Sequence, residues 1–352
     1  MFDRSVTAFR SLRRTVAQRF FLAVALADFF GRRAFLREIV AVYAGMRKHH
    51  NARRSGCEIF YVRRHVHMLE KGISMIPRRD TFAAGYIEDL VAAVEACTAA
   101  GLLDAVTCAW VADTLDAYFT ATEATSSPEI RRARETYKQL DIGPRSRDFL
   151  GPVRVLDAER IRGGARLPSY DELLSLAHAR QSVRWFSPET VDRDLVDRAI
   201  ALGMQAPSAC NRLPYRFVVV DHRDTIRSIA DIPGGTAGYA QNLVGLVVVV
   251  GDLSAYAHTR DRHLIYVDSS LAAMGFLMAM QAQGLSTCCI NWPDSAAADS
   301  RIAQILGLKR YERTVMLIAY GRALPDALAP GSGKRDLDSI RQFVGSTEGD
   351  PR

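Results

Sequence analysis

Four short stretches concentrate the side chains able to do chemistry. In Arg180-Gln181-Ser182-Val183-Arg184-Trp185-Phe186, two arginines and a serine hydroxyl fall within five residues. Such a set offers forked donors to a phosphate dianion, although an arginine pair at a helix end is more often a solvated face. In Ala206-Pro207-Ser208-Ala209-Cys210-Asn211-Arg212-Leu213-Pro214-Tyr215, two prolines fix backbone angles around the short polar side chains of Ser208 and Asn211. A rigid polar loop of this kind suits ligand contact, or is an ordinary capped turn. In Gly284-Leu285-Ser286-Thr287-Cys288-Cys289-Ile290-Asn291-Trp292, a helix-ending glycine leads into a strand. Backbone amides at its far end can face a flat ligand edge. Near the C-terminus, Gly331-Ser332-Gly333-Lys334-Arg335 carries two cations on flexible backbone. They either reach an anion or form a basic tail.

The elements that must position these stretches follow from periodicity. Residues 1–140 read as helix after helix, with helical spacing over 36–46, 87–100 and 105–121. The texture turns irregular and rich in Gly and Pro over 141–168, which we take as a linker. From 169 to 345 helices and strands alternate. Helices are expected over 170–179, 192–205, 264–283 and 298–306, and strands over 216–220, 246–250, 286–291 and 313–319. The strand runs are apolar throughout, as expected of strands buried on both faces. Strands alternating with helices imply an α/β or α+β sheet covered by helices, preceded by an all-α N-terminal domain.

Composition bounds the function classes. The chain has 352 residues, 48% hydrophobic and 24% charged, with mean hydropathy −0.04. These values exclude a mostly disordered chain and a disulfide scaffold. No uninterrupted apolar run reaches the roughly 18 residues of a spanning helix, and no signal peptide is expected. The net charge of +7 resides in the first 54 residues, which hold 12 Lys and Arg against 3 Asp and Glu. Their arginines interleave with apolar residues over 20–30. The preferred reading is a packed helix with a solvated basic face. The second is a peripheral contact with the inner membrane face through residues 1–54. No nucleic-acid motif accompanies the charge. The six cysteines form no CxxC pair, which points to the cytoplasm. His65, His67 and Glu70 could ligate a metal, but hydrogen bonding along a helix is the preferred reading, and no metal is expected.

Taken together, the four stretches resemble the FMN-dependent nitroreductase family from about Leu173 to Phe343. The segment Arg63–Met75 is similar to one that precedes some nitroreductase-like proteins of polysaccharide clusters. The resemblance implies an α+β fold class, a nitroreductase-like mixed sheet flanked by helices, and a homodimer with FMN at the subunit interface. By position it implies FMN phosphate ligands at Arg180, Gln181 and Ser182, completed by Lys334 and Arg335. It places Arg184 at the pyrimidine edge of the flavin. Pro207, Ser208 and Asn211 match a loop contacting flavin held mainly by the other subunit. Asn291 and Trp292 match strand-end residues whose amides approach the flavin, where many members carry an acidic residue or glycine. A bulky Trp292 there is expected to narrow the pocket.

The implied activity is hydride transfer from NAD(P)H, through flavin N5, to an organic acceptor such as a nitroaromatic or quinone, in two alternating steps. No side chain is needed as a catalytic acid or base, because the flavin carries the chemistry. The alternative is a flavin-binding accessory or sensor without turnover in surface-polysaccharide synthesis.

Overall fold

The structure, a computed structural model, describes residues 34–143 and 167–344. The apolar stretch over 20–30 and most of the 141–168 linker lie outside the described residues.

The N-terminal part is helical. Helix α1 spans Ala34–Arg54, α2 Ile59–Ile73, α3 Ile87–Ala99, α4 Ala105–Ala121 and α5 Pro128–Lys138. Sequence periodicity had not separated α2 or α5. Both have clear local causes. Glu58 caps α2 by accepting from the amides of Phe60 and Tyr61. Ser127 caps α5, with Pro128 in its first turn. Asp104 caps α4 in the same way through the Thr107 amide. Helices α2–α5 close on one core that includes Leu69, Leu90, Val94, Leu115, Tyr118 and Ile130.

Residues 167–344 build a three-layer unit. Helix α6 spans Tyr170–Ala179, α7 Arg193–Gly203, α8 Arg223–Ala230, α9 Leu264–Ala282 and α10 Ala296–Leu306. Strands β1 (Tyr215–Val220), β2 (Gly245–Asp252), β3 (Ser286–Asn291) and β4 (Glu312–Gly321) form one sheet in the order β1-β2-β4-β3. Every strand pairing is antiparallel. The mixed character expected of the sheet is confined to one parallel bridge, Ser182 to Thr287. Central β2 is buried from Gly245 to Gly251, which explains its unbroken apolar run. Leu246 and Val248 face a layer containing Ile226 of α8 and Ile302 of α10. Val247 and Val249 face Val196 of α7 and Phe276 and Met280 of α9.

Helices α7 and α9 touch backbone to backbone. A Cβ on Gly203 would sit 2.7 Å from the Ala272 carbonyl oxygen, and one on Gly275 would sit 3.0 Å from Gly203 Cα. By length and composition alone the 24-residue stretch Thr259–Ala282 is long and apolar enough to cross a membrane. Its composition has another cause, since half of its most apolar window is buried within the protein.

Helix α1 packs on the sheet unit. Ala41 and Val42 join Leu253, Ala255, Tyr256 and Ile265 in one cluster. Arg37 reaches Asp294 at 2.9 Å and Asp299 at 2.6 Å. A Cβ on Gly45 would lie 2.6 Å from the Leu253 carbonyl, so only glycine allows this approach.

Candidate functional site

The first stretch is laid beside the edge of the sheet. Helix α6 ends at Ala179, and Arg180 leaves it with extended backbone at φ −71°, ψ 112°. The chain then runs along β3, where the Val183 amide donates to the Thr287 carbonyl at 3.0 Å. Beyond it, Phe186 bridges Ala323, and the Ser187 amide donates to the Arg322 carbonyl at 2.9 Å. Phe186 is buried and rests on Gly321, where a Cβ would come within 2.8 Å of its ring. The segment is thus pinned at both ends while Arg180, Ser182 and Arg184 stay half-buried.

Arg184 is positioned twice. Its carbonyl accepts from Asn242 Nδ2 at 2.7 Å, and its guanidinium lies 5.7 Å from the centre of the Tyr239 ring. Its Nη1 also donates to the Ser182 carbonyl at 3.3 Å. Arg180 lies close enough to Cys289 to oppose the upward push that burial gives that thiol. Among the described residues, the Arg180 guanidinium and the Ser182 hydroxyl form no hydrogen bond, so both donors are free for an anion. That donor set fits a phosphate monoester.

The second stretch is braced from several sides. Ser208 Oγ accepts from the Leu213 amide at 3.1 Å, and Asp268 Oδ2 accepts from the Ala209 amide at 3.0 Å. Cys210, Asn211 and Leu213 all have left-handed backbone, at φ 54°, 51° and 48°. Each such non-glycine residue costs about 1 kcal/mol and persists only where its surroundings enforce it. The enforcing contact crosses from the helical domain. Arg63 Nε donates to the Asn211 carbonyl at 2.8 Å, while its Nη1 reaches Thr107 Oγ1 at 3.4 Å and its guanidinium lies 4.9 Å from the Trp110 ring centre. Pro207, at the start of the loop, is exposed.

At the end of β3, Asn291 is exposed opposite Met316. Trp292 lines a cavity together with His263, Tyr266 and Arg313. It is only 8% exposed, packs in the core with Ile302, and donates Nε1–H to Asp299 Oδ1 at 3.0 Å. Apolar burial together with a charged acceptor draws the indole into the fold.

Lys334 and Arg335 lie on an exposed arm. Arg335 donates to the Ser339 carbonyl of the same arm at 3.1 Å. Among the described residues, no hydrogen bond or ion pair joins Lys334 or Arg335 to Arg180, Ser182 or Arg184. The first stretch is thus gathered along β3, while Lys334 and Arg335 stand exposed on the arm.

The residues around His67 have other duties. His67 Nδ1 lies 3.0 Å from Glu70 Oε2, and Glu70 Oε1 accepts from Trp110 Nε1 at 2.6 Å. His65 donates Nδ1–H to the Tyr61 carbonyl at 2.8 Å, and burial lowers its pKa to about 4. Sequence reading missed Asp268 and the bracing role of Arg63. Asp268 is a lone acid inside an apolar helix, which was the available signal.

The model of the Nitroreductase family matches residues 177–242 and 244–322. Iodotyrosine deiodinase 1 of Homo sapiens is 23% identical over 201 residues, covering 49% of this chain and 68% of that protein. A putative NADH dehydrogenase/NAD(P)H nitroreductase of Archaeoglobus fulgidus is 24% identical over 141 residues, covering 39% of this chain and 78% of its own. Among solved structures, an FMN-dependent nitroreductase of Clostridium difficile R20291 is 19% identical with a TM-score of 0.42, covering 49% of this chain and 99% of that one. The C-terminal half of this chain is a Nitroreductase-family domain.

Proposed function

We propose that the protein is an FMN-dependent oxidoreductase that takes electrons from NAD(P)H. The observation that carries this reading is the line of Arg180, Ser182 and Arg184 along β3, with two of its donors free, inside the matched region. FMN supplies the chemistry when bound, accepting a hydride from NAD(P)H and passing it to an organic acceptor in a separate half-reaction. The chain's own residues bind and orient. Arg180 and Ser182, with the Gln181 amide, hold the phosphate. Arg184 sets a fixed cation at the pyrimidine edge, where negative charge collects on reduction. The loop of Pro207, Ser208 and Asn211 closes over flavin held by a second copy, and the backbone of Asn291 and Trp292 lines the reactive edge.

A homodimer is part of this reading. Val267, Leu271 and Met274 form an exposed apolar stripe on α9 at helical spacing, and Leu337, Ile340 and Phe343 are exposed on the C-terminal arm. Apolar surface in such amounts marks a contact face. The arm also carries Lys334 and Arg335 toward the phosphate. We place the protein in the cytoplasm.

The test is FMN titration of apo-protein, followed by quenching of flavin fluorescence. Stoichiometric, saturable quenching supports the reading, and absence of binding ends it. The deiodinase relatives favour a second acceptor class, an aryl halide reduced with release of halide. Halide release against nitro or quinone reduction separates the two. A flavoprotein that NAD(P)H does not bleach would instead favour the accessory or sensor role.

A further inference from the structure

Between the helical domain and the 206–214 loop lies a cavity of about 190 Å3 with an unusual charge balance. Three arginines line it, Arg64 from α2, Arg212 from the loop and Arg260 from the turn before α9, against one carboxylate, Asp261. Asp261 lies 3.9 Å from the Arg260 guanidinium and so is already matched to a cation.

Arg212 is the telling residue. It is only 8% exposed, and its Nε has no hydrogen-bond partner among the described residues. The Tyr256 ring, 5.1 Å from its guanidinium carbon, offers a weak cation–π contact. Burying a guanidinium without a hydrogen-bonded anion is costly, so an isolated one calls for a counter-charge. Two carboxylates of the fold act on Arg212 electrostatically, and neither hydrogen-bonds it among the described residues. Glu58 accepts from the Phe60 and Tyr61 amides, with His49 Nδ1 3.6 Å away. Burial also pushes the Glu58 carboxyl up to about 7, despite Arg212 and Arg53, so near neutral pH it is an incomplete counter-ion. Asp268 Oδ2 accepts from the Ala209 amide at 3.0 Å and from Tyr256 at 3.4 Å. His49, on the cavity wall, is held neutral by burial and by neighbouring cations, with its pKa lowered to about 4.

We propose that this interdomain cavity binds a small oxyanion, a carboxylate or a phosphate, on Arg212, Arg64 and Arg260. The cavity shares no residue with the Arg180–Arg184 group. Its wall is the same 209–212 turn that Arg63 braces, so a bound anion would tie the helical domain to the loop.

The experiment uses the full chain saturated with FMN, which fills the flavin phosphate site. Inorganic phosphate and acetate are titrated against chloride at matched ionic strength, with thermal midpoint and calorimetric binding as readouts. The proposal expects saturable stabilisation by at least one oxyanion. Arg64→Gln, at the edge of the cavity, should weaken it at least about tenfold, as for loss of a charge-assisted hydrogen bond. Arg212→Gln should abolish it, and if that variant does not fold, Arg260→Gln serves in its place. Arg132→Gln, at a surface arginine outside the cavity that pairs with Glu88, should leave it unchanged. Phosphate stabilising while acetate does not assigns a phosphate ligand, and the reverse assigns a carboxylate. Stabilisation by neither, or an effect that stays intact in Arg64→Gln and in Arg212→Gln or its substitute Arg260→Gln, overturns the proposal. If FMN does not bind at all, the same titration on apo-protein still tests the cavity, so the two readings fail separately.

Discussion

Arg63 donates its Nε–H to the carbonyl oxygen of Asn211 at 2.8 Å, across 148 positions of sequence. This bond makes the helical domain a support for a strained loop. Removing it should free Cys210, Asn211 and Leu213 to leave their left-handed angles. Arg63→Ala is expected to lose about 2 kcal/mol of stability, as for a hydrogen bond to a charged group. It should also weaken FMN binding several-fold, with Arg63→Lys recovering part of both. Denaturant unfolding and flavin titration on the three proteins check this. Lost stability with unaltered FMN affinity would limit Arg63 to a structural role.

Arg180 tests the phosphate assignment. Its guanidinium is free among the described residues, so it contributes little to the fold. Arg180→Ala should cost on the order of 1.5–3 kcal/mol of FMN binding, roughly ten- to a hundredfold in Kd, with little change in melting temperature. Full flavin occupancy in the variant would refute the assignment.

Trp292 separates packing from ligand contact. Its indole is buried and bonded to Asp299, which also takes Arg37 and Arg313 at 2.6 Å and 3.0 Å. Trp292→Phe keeps most of the apolar volume and loses one hydrogen bond to a carboxylate. Stability should fall by about 1–3 kcal/mol while FMN affinity holds. A large loss of FMN affinity with stability intact would place the ring in the flavin site after all.

Stability should depend on pH through His65 and His49. Burial lowers both from 6.5 to about 4, so the folded protein holds them neutral. Their contribution is present above pH 6.5 and is lost as pH falls through about 4, up to about 3 kcal/mol for each. Glu58 acts in the opposite sense. Raised from 4.5 to about 7, it favours the fold at low pH and loses that contribution as pH rises through neutrality. Burial raises Asp252 and Asp268 in the same sense as Glu58, so the histidines are read from the fall in unfolding free energy between pH 6.5 and 4.5 that they add. His65→Gln should flatten it. Urea midpoints at several pH values measure the slope, and a variant with an undiminished slope would contradict the account.

Much of the sheet unit was legible because its signals are local. Helix α6 and strand β3 were bounded correctly, since Ser169 and Gly284 punctuate them. Helix α8 was missed because its eight residues follow β1 directly and leave little room for a period to show. Arg180, Ser182 and Arg184 were identifiable as a group because they are near neighbours in sequence. The Arg63–Asn211 contact was not, because its partners belong to different domains and one of them is a backbone carbonyl. Trp292 was legible only in part. Its position at a strand end was readable, whereas the carboxylate that draws it inward is set by how α10 packs.

The central claim is that this fold holds a flavin which NAD(P)H can reduce. The direct test is anaerobic titration of FMN-loaded protein with NADH and with NADPH, followed in the flavin absorption band. The account predicts bleaching by one or both at one equivalent of nucleotide per flavin, with recovery of the band on adding an oxidising acceptor. A bound flavin whose absorption stays unchanged with excess of either nucleotide would contradict it.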